Sequence, residues 1–364
     1  MIDERDFPPI RVRASRTDYD VVFTTSVSGA FERAIDGVAD PIFVVDARVA
    51  ELYPDLRARC GDRLALVPAN EAEKSLAGLE RLALRLAALR CSKKSTLVAI
   101  GGGIVQDIAT FAAATFHRGI GLVIVPTTLL AIADSCIGSK YGVNLGSAKN
   151  QLGGFWAPDR VVISAAFLET LTPDDLRSGF GEIVKLALIG SSQLTASVLA
   201  ALGADGFQTA STMEFIRDTL LVKRSYIEDD EFDTGRRKIL NFGHTFAHAL
   251  ESITKNEVPH GMAVAWGVDV ANHVACEAGL LERADRDAVT SLLRGRFGLS
   301  VRAAYDAQSL VEIMRSDKKA ASGSIDLVLM HEPGDVRLVA TPLDRHLIDT
   351  LQRYLSERNI FVSA

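Results

Sequence analysis

The amino-acid sequence predicts an α/β N-terminal domain followed by a mainly α-helical C-terminal domain. Short β-branched runs alternate with helical patterns as far as about residue 165, and beyond it strand signals thin out and long amphipathic segments take over. Strand–helix alternation implies a parallel sheet with crossover helices. We therefore expect one domain over 1–165 and a second over 166–364.

The elements follow in order. "DPIFVVD" (40–46) is a β-branched strand, and "SLAGLERLALRLAALR" (75–90) spaces its apolar residues as a helix does. "STLVAIGGG" (95–103) is a strand running into glycines, "IVQDIATFAAATFHRG" (104–119) a helix, and "GLVIVPTT" (121–128) a strand ending at Pro126. Later, "LRSGFGEIVKLALIGSSQLTASVLAAL" (176–202), "MEFIRDTLLVKRSYIEDDE" (213–231) and "MAVAWGVDVANHVACEAGLL" (262–281) are helical. The first 18 or so residues and the last few are expected to be loosely ordered, as termini often are.

The bulk numbers narrow the function. The 364 residues suffice for two domains with a buried core, and 48% apolar with 24% charged residues is the balance of a soluble globular protein. A net charge of −6 argues against a nucleic-acid partner. There is no secretory signal and no apolar run of membrane-spanning length, so we expect a cytoplasmic protein without a membrane partner. Cys60, Cys91, Cys136 and Cys276 are scattered without a CxxC pair, which suits buried small hydrophobes in a reducing compartment.

Three stretches carry chemistry. In "AIGGGIVQDIA" glycines follow a strand and open a helix, where backbone N–H groups can approach a dinucleotide pyrophosphate closely. It is not a GxGxxG fingerprint, and a tight strand–helix turn without a ligand is the alternative. Asp46, at a strand end, could accept from a ribose hydroxyl, although for a lone strand-end Asp a helix cap is the better reading. The run 126–158 spreads Asp134, Lys140, Asn144, Lys149 and Asn150 over a glycine-rich frame, a grip for a phosphate and hydroxyls. It is too long and too apolar for a simple wet loop.

The third stretch is "KILNFGHTFAHALESITKNEVPHGMAVAWG" (238–267). His244 and His248 share a helix face, a spacing that often binds zinc, but HExxH is absent because Thr245 follows His244. His260 opens a further helix, and upstream "SGFGEIVK" puts Glu182 and Lys185 one turn apart on an apolar helix. A buried acid needs a partner, and N/O ligands with an open position describe a catalytic zinc site. Each histidine alone is also readable as a core or capping residue.

The motifs "GGGIVQD", "FHRG", "PTTLLAIADS", "GSKYGVN", "KNQLGGF", "SGFGEIVK", "RKILNFGHTFAHALE", "HGMAVAWG" and "DKK" resemble, in order and spacing, those of 3-dehydroquinate synthase and its relatives, the sugar phosphate cyclases. The resemblance runs from about Asp46 to Lys319. It implies a dinucleotide-binding first domain and a second domain that binds metal and substrate. The implied metal ligands are Glu182, His244 and His260, holding Zn²⁺ with Co²⁺ as a substitute, while His248 serves the substrate phosphate region. Glu71, Lys74, Gly102, Gly103, Asp107, Thr127, Thr128 and Lys149, with Asp46, form the implied NAD-contacting set. Lys140, Lys185, Lys223, Arg237 and Asn241 join His248 as catalytic residues, and Asp134, Asn150 and either Lys318 or Lys319 hold substrate. Arg118 matches an arginine that reaches the neighbouring subunit's phosphate site, which implies a homodimer.

The implied reaction is oxidation of a sugar phosphate hydroxyl by NAD⁺, β-elimination of phosphate, return of the hydride, and intramolecular aldol closure. The implied product is 3-dehydroquinate, from 3-deoxy-arabino-heptulosonate 7-phosphate. Ser139, Tyr141, Met262, Gln106 and Cys136 depart from the usual motifs, so a second cyclase, acting on sedoheptulose 7-phosphate to give 2-epi-5-epi-valiolone, stands as an alternative. An NAD- and metal-dependent polyol dehydrogenase is a more distant one.

Overall fold

The computed structural model describes residues 7–146, 148–204, 209–297, 305–316 and 323–357. They form two compact units, Met1–Thr172 with Ile227–Phe232, and Pro173–Tyr226 with Asp233–Ala364. The expected boundary at 165/166 falls at the start of a 3₁₀ turn, Ala165–Thr170, that packs into the first unit. Phe167 of that turn lies in the first unit's core, edge-on to Tyr53 at 5.3 Å. The segment 227–232 returns to the same unit because Glu228 accepts from the Arg13 amide and guanidinium, and Glu231 from the Ser15 amide.

The first unit holds strands β1 (Ile10–Val12), β2 (Tyr19–Thr24), β3 (Pro41–Asp46), β4 (Leu64–Val67), β5 (Thr96–Gly101), β6 (Gly121–Pro126), β7 (Lys140–Leu145), β8 (Ala148–Phe155) and β9 (Arg160–Ser164). Its helices are α1 (Val27–Ile35), α2 (Ala47–Leu52), α3 (Pro54–Cys60), α4 (Leu76–Ala88) and α5 (Gly103–Thr115). Seven strands make one sheet in the order β1-β2-β9-β6-β5-β3-β4, parallel except for β1 on β2. The central strands β3, β5 and β6 are buried along nearly their whole length, so they read as unbroken apolar runs. Residues 10–12 are more ordered than expected, because β1 pairs with β2 and buries Ile10 and Val12. The long polar run is also more regular than a loop. It contains a π-helical turn, Ala131–Ser135, and the antiparallel β7–β8 hairpin.

The second unit contains α6 (Pro173–Gly190), α7 (Ser192–Ala204), most of α8 (Thr209–Asp229), α9 (His244–Ile253), α10 (His260–Glu277), α11 (Arg283–Arg296), α12 (Ala307–Ser316) and α13 (Arg345–Glu357). A hairpin of β10 (Ser324–Glu332) and β11 (Asp335–Pro342), which the sequence reading did not anticipate, joins them. Helix α10 is buried from Gly261 through Ala275, a mainly apolar helix at the centre of the unit with Asp269, Asn272 and His273 buried along it. α6, α9, α11, α13 and β10 all pack on it. Its one buried acid, Asp269, accepts from Thr290 Oγ1, Arg294 (3.1 Å) and Tyr354 Oη (2.8 Å), tying α11 and α13 to the central helix.

Candidate active site

Three helices of the second unit meet at glycines, and each meeting lies beside a polar side chain of interest. Gly181 precedes Glu182 on α6, and a Cβ there would run into the Gly261 carbonyl of α10. Gly261 follows His260, and a Cβ there would meet the Ser178 carbonyl. Gly243 precedes His244, has a left-handed φ of 77°, and its carbonyl occupies the space a Cβ on Gly267 would need. Backbones that approach this closely bring α6, α9 and α10 together with their side chains converging.

Glu182, His244 and His260 are the result. One ligand atom from each lies within 4.8 Å of the others, and no other such group occurs among the described residues. Oε1 of Glu182 is 3.5 Å from Nε2 of both His244 and His260. Ligand atoms about 2.1 Å from a tetrahedral ion stand roughly 3.4 Å apart, so this spacing suits a shared cation. Both Glu182 oxygens are fully buried without a hydrogen bond of acceptable geometry, although Lys185 Nζ forms an ion pair with Oε2 at 2.5 Å. An acid so placed needs a cation. The donor set, one carboxylate and two imidazoles, is that of a zinc-type site and fits a divalent ion.

The electrostatics agree. Burial opposes the charged form of Glu182, but Lys185, His244 and His260 outweigh it and hold the carboxyl well below its usual range. Burial, then Lys185, pushes the His244 imidazole down to about 3, so it is neutral and able to ligate. Its Nδ1 lies 3.3 Å from the Phe242 carbonyl, which can only accept, leaving Nε2 as the lone pair. His260 goes the other way. Burial lowers it, but Glu182 and Glu251 together raise it to about 9. Its Nδ1 lies 3.1 Å from Glu251 Oε1. His248, which shares a face with His244, is exposed and outside the converging set. Its ring lies 5.6 Å from that of His244 and 6.2 Å from that of His260.

Three buried cations of the second unit belong to the expected catalytic set: Lys185, Lys223 and Arg237. Asn241 is half-buried at the end of the turn Arg236–Asn241 that leads into α9. Lys318 and Lys319 lie outside the described residues.

The first unit gathers the expected nucleotide residues at the carboxyl ends of its central strands. Gly102 caps α5 without a side chain, and a Cβ there would press on Thr128 Cγ2. Thr127 donates its amide to the Gly101 carbonyl (3.1 Å), while its buried Oγ1 has no partner. A glycine at a helix N-terminus beside an orphan hydroxyl fits a pyrophosphate and ribose. Asp107 accepts from the Gly142 amide (2.9 Å) and pairs with Lys74 (2.5 Å), and burial, opposed by Lys74, raises its carboxyl. Glu71 Oε1 accepts from Asn144 Nδ2 at 2.6 Å, and Asn144 Oδ1 accepts from the Asn150 amide at 2.9 Å. The candidate nucleotide residues are thus bonded to the β7–β8 hairpin, which bears the exposed Lys140, Lys149 and Asn150. Asp134 sits in the π-helical turn. Arg118 is exposed on a turn whose residues His117 and Arg118 both have left-handed φ, 49° and 62°. Asp46 caps α2, accepting from the Arg48 amide at 2.9 Å, the use weighed against a ribose contact.

The residues that depart from the usual motifs are taken up by packing. Ser139 Oγ donates to Glu231 (3.1 Å), and the Tyr141 ring stands edge-on to Phe111 at 5.1 Å. Gln106 accepts from Ser135 Oγ (2.8 Å), Cys136 Sγ donates to the Ile132 carbonyl (3.2 Å), and Met262 is buried in α10. Glu251, the partner of His260, was not singled out in the sequence. Its signal was its position seven residues after His244, two turns along the same helix face.

Comparison with known proteins agrees with this picture. Residues 64–178 match the family described as 3-dehydroquinate synthase N-terminal, and residues 179–320 match 3-dehydroquinate synthase C-terminal. A 3-dehydroquinate synthase of Streptococcus equi subsp. equi is 31% identical over 359 residues, covering 95% of this chain and 98% of the relative. One from Geobacillus thermodenitrificans is 35% identical, covering 92% and 95%. Among solved structures, a 2-epi-5-epi-valiolone synthase from Streptomyces hygroscopicus subsp. jinggangensis, with NAD⁺ and Zn²⁺ bound, is similar with a TM-score of 0.85 at 25% identity, covering 95% of this chain and 99% of that one. A 2-deoxy-scyllo-inosose synthase complexed with carbaglucose-6-phosphate, NAD⁺ and Co²⁺ shares the fold at a TM-score of 0.85 and 24% identity, with the same coverage.

Proposed function

The chain belongs to the 3-dehydroquinate synthase family, and from that premise we propose that it converts 3-deoxy-arabino-heptulosonate 7-phosphate to 3-dehydroquinate. Its class is that of a sugar phosphate cyclase, a carbon–oxygen lyase acting on a phosphate. The observation that carries the proposal is the convergence of Glu182, His244 and His260 beside the buried Lys185. Glu182, His244 and His260 would hold a divalent ion, Zn²⁺ or Co²⁺. Gly102, Gly103, Thr127 and Thr128, with Glu71, Lys74, Asp107 and Lys149, would hold NAD. When bound, the ion supplies Lewis acidity at substrate oxygens and the nicotinamide a reversible hydride acceptor, the conditions under which phosphate leaves beside a transient ketone.

The chain's own residues bind and orient. Lys185, Lys223 and Arg237 are buried cations suited to a phosphate and a carboxylate, and they offset negative charge where water does not. Arg237 is the residue for a 2-keto acid carboxylate, a group that sedoheptulose 7-phosphate lacks. Asn241, Asp134 and Asn150 are hydrogen-bonding groups for the ring hydroxyls, and Lys140 and His248 supply donors at the phosphate. No covalent nucleophile is required, so positioning carries the rate. The packing roles of Ser139, Tyr141 and Gln106 weaken the case for a different substrate, because those side chains are engaged within the protein. We further propose a homodimer in which the exposed Arg118 serves the phosphate of the partner subunit's site.

The test is phosphate release from the seven-carbon keto acid phosphate, sedoheptulose 7-phosphate and glucose 6-phosphate, with NADH followed by absorbance. The expected result is turnover of the keto acid phosphate with no net NADH. Accumulating NADH without phosphate release would point to a dehydrogenase, and preference for sedoheptulose 7-phosphate to the second cyclase.

A further inference from the structure

The two imidazoles that face Glu182 are backed differently. His244 Nδ1 meets a backbone carbonyl at 3.3 Å, whereas His260 Nδ1 meets the Glu251 carboxylate at 3.1 Å. Glu251 is 3% exposed, and its carboxylate oxygen lies against the His260 ring. We infer that Glu251 is a positioning residue for His260: its carboxylate accepts a hydrogen bond from Nδ1–H, turns the ring so that Nε2 faces Glu182, and strengthens Nε2 as a donor to a divalent ion. This rests on the reading of Glu182, His244 and His260 as the ligands of that ion.

A ring nitrogen that ligates must be unprotonated, so the other carries the proton and donates a hydrogen bond to an acceptor. A carbonyl performs that office for His244 by virtue of a short local turn, since Phe242 is only two residues away. His260 opens α10 after Pro259. Its ring is a third exposed and needs an outside anchor. Helix α9 supplies it. His244 occupies the first turn of α9 and Glu251 the last, on one face, so a single rigid element fixes both imidazoles. The carboxylate differs from the carbonyl in charge. It polarises the imidazole and places a second negative charge next to the site, opposite in sign to the ion it would favour. The bond His260–Glu251 therefore sets both the direction of Nε2 and the affinity for the cation, while Phe242 sets direction alone.

The experiment compares the intact protein with Glu251→Gln, Glu251→Asp and His260→Ala. Zn²⁺ and Co²⁺ affinities are read by competition with a chromophoric chelator, and melting of the ion-free proteins is read in parallel. Gln keeps the size and an acceptor oxygen but removes the charge. Asp keeps the charge but withdraws the oxygens. The expected result is a 10–100-fold loss of affinity for Glu251→Gln, a smaller loss for Glu251→Asp, and a changed visible spectrum of the Co²⁺ complex in both. If Glu251→Gln does not fold, Glu251→Asp decides alone. Affinity and Co²⁺ spectrum equal to those of the intact protein in the folded variants, while His260→Ala loses the ion, would overturn the inference and leave the ligand reading standing. If the intact protein takes up no equivalent of either ion, or His260→Ala keeps it, the ligand reading itself falls, and this inference with it.

Discussion

His260 is the residue whose chemistry is most exposed to measurement. Its ring is held at about 9 by Glu182 and Glu251 against the pull of burial, above its ordinary 6.5. Without an ion the ring is therefore protonated at neutral pH. A raised folded-state value stabilises the folded protein fully below pH 6.5, and that contribution is lost as pH rises through about 9. His244, held down to about 3, has its own window between 6.5 and 3, so the alkaline window belongs to His260. Ion binding must expel the His260 proton, so it should release one proton, and apparent affinity should rise about tenfold per pH unit up to about pH 9. Titration calorimetry in buffers of different ionisation enthalpy measures that proton. The ion-free protein should lose melting temperature between pH 6.5 and 9, and the ion-loaded protein should not. A flat ion affinity over this range would mean that the ion-free His260 ring is already neutral at pH 6.5 and that Glu182 and Glu251 do not hold its proton.

At the scale of elements, the site depends on how closely three helices approach. Gly181 and Gly261 let α6 and α10 touch through backbone, and neither neighbour atom is the far end of a flexible side chain. Gly181→Ala should therefore force the helices apart, at about 1–3 kcal/mol, and widen the gap between Glu182 and His260. Melting and ion affinity should fall together. Gly295→Ala is the matched comparison, because its Cβ would meet nothing within 4 Å in α11 and helix propensity should add about 0.5–1 kcal/mol. Ion affinity unchanged in Gly181→Ala would separate the site from the helix contact. These elements also mark what the sequence made legible. Strands β3, β5 and β6 were readable because their short runs are β-branched and bounded by Pro, Gly or Asp, which favours a buried strand over a helix. The β7–β8 hairpin was not, because its strands are rich in Lys, Asn, Gln and Gly and much of β8 is exposed, so neither alternation nor apolar run announces it. Among the described residues the β10–β11 hairpin pairs with no other strand, and its apolar "LVLM" is too short to tell strand from helix. Helical spacing placed His244 with His248, whereas the set that converges draws on three helices, a relation that no local period encodes.

For the whole molecule the open physical question is whether one chain makes a complete site. Arg118 is held in an energetically costly place. It and His117 both adopt left-handed backbone, and Lys93 Nζ donates to the carbonyls of His117 (3.1 Å), Arg118 (3.4 Å) and Gly119. Strain of about 1–3 kcal/mol per residue persists where surrounding bonds over-determine it, and it clusters where presentation of a side chain matters. The turn presents the arginine to solvent. A second copy related by two-fold symmetry would gain an anion-binding group, and each chain would lend one to the other. Two inactive variants distinguish lending from self-service. Arg118→Ala and Lys223→Met should each release little phosphate alone. Co-expressed in equal amounts, they should form mixed dimers in which one site has both native residues, its own Lys223 and the borrowed Arg118. Half of the dimers are mixed and half of their sites are whole, so phosphate release should recover to about a quarter of the native rate. If Arg118 served its own chain, every site would carry a defect and the mixture would stay inactive. Light scattering on the native protein should give twice the chain mass, and a monomer with normal turnover would remove the shared-site proposal altogether.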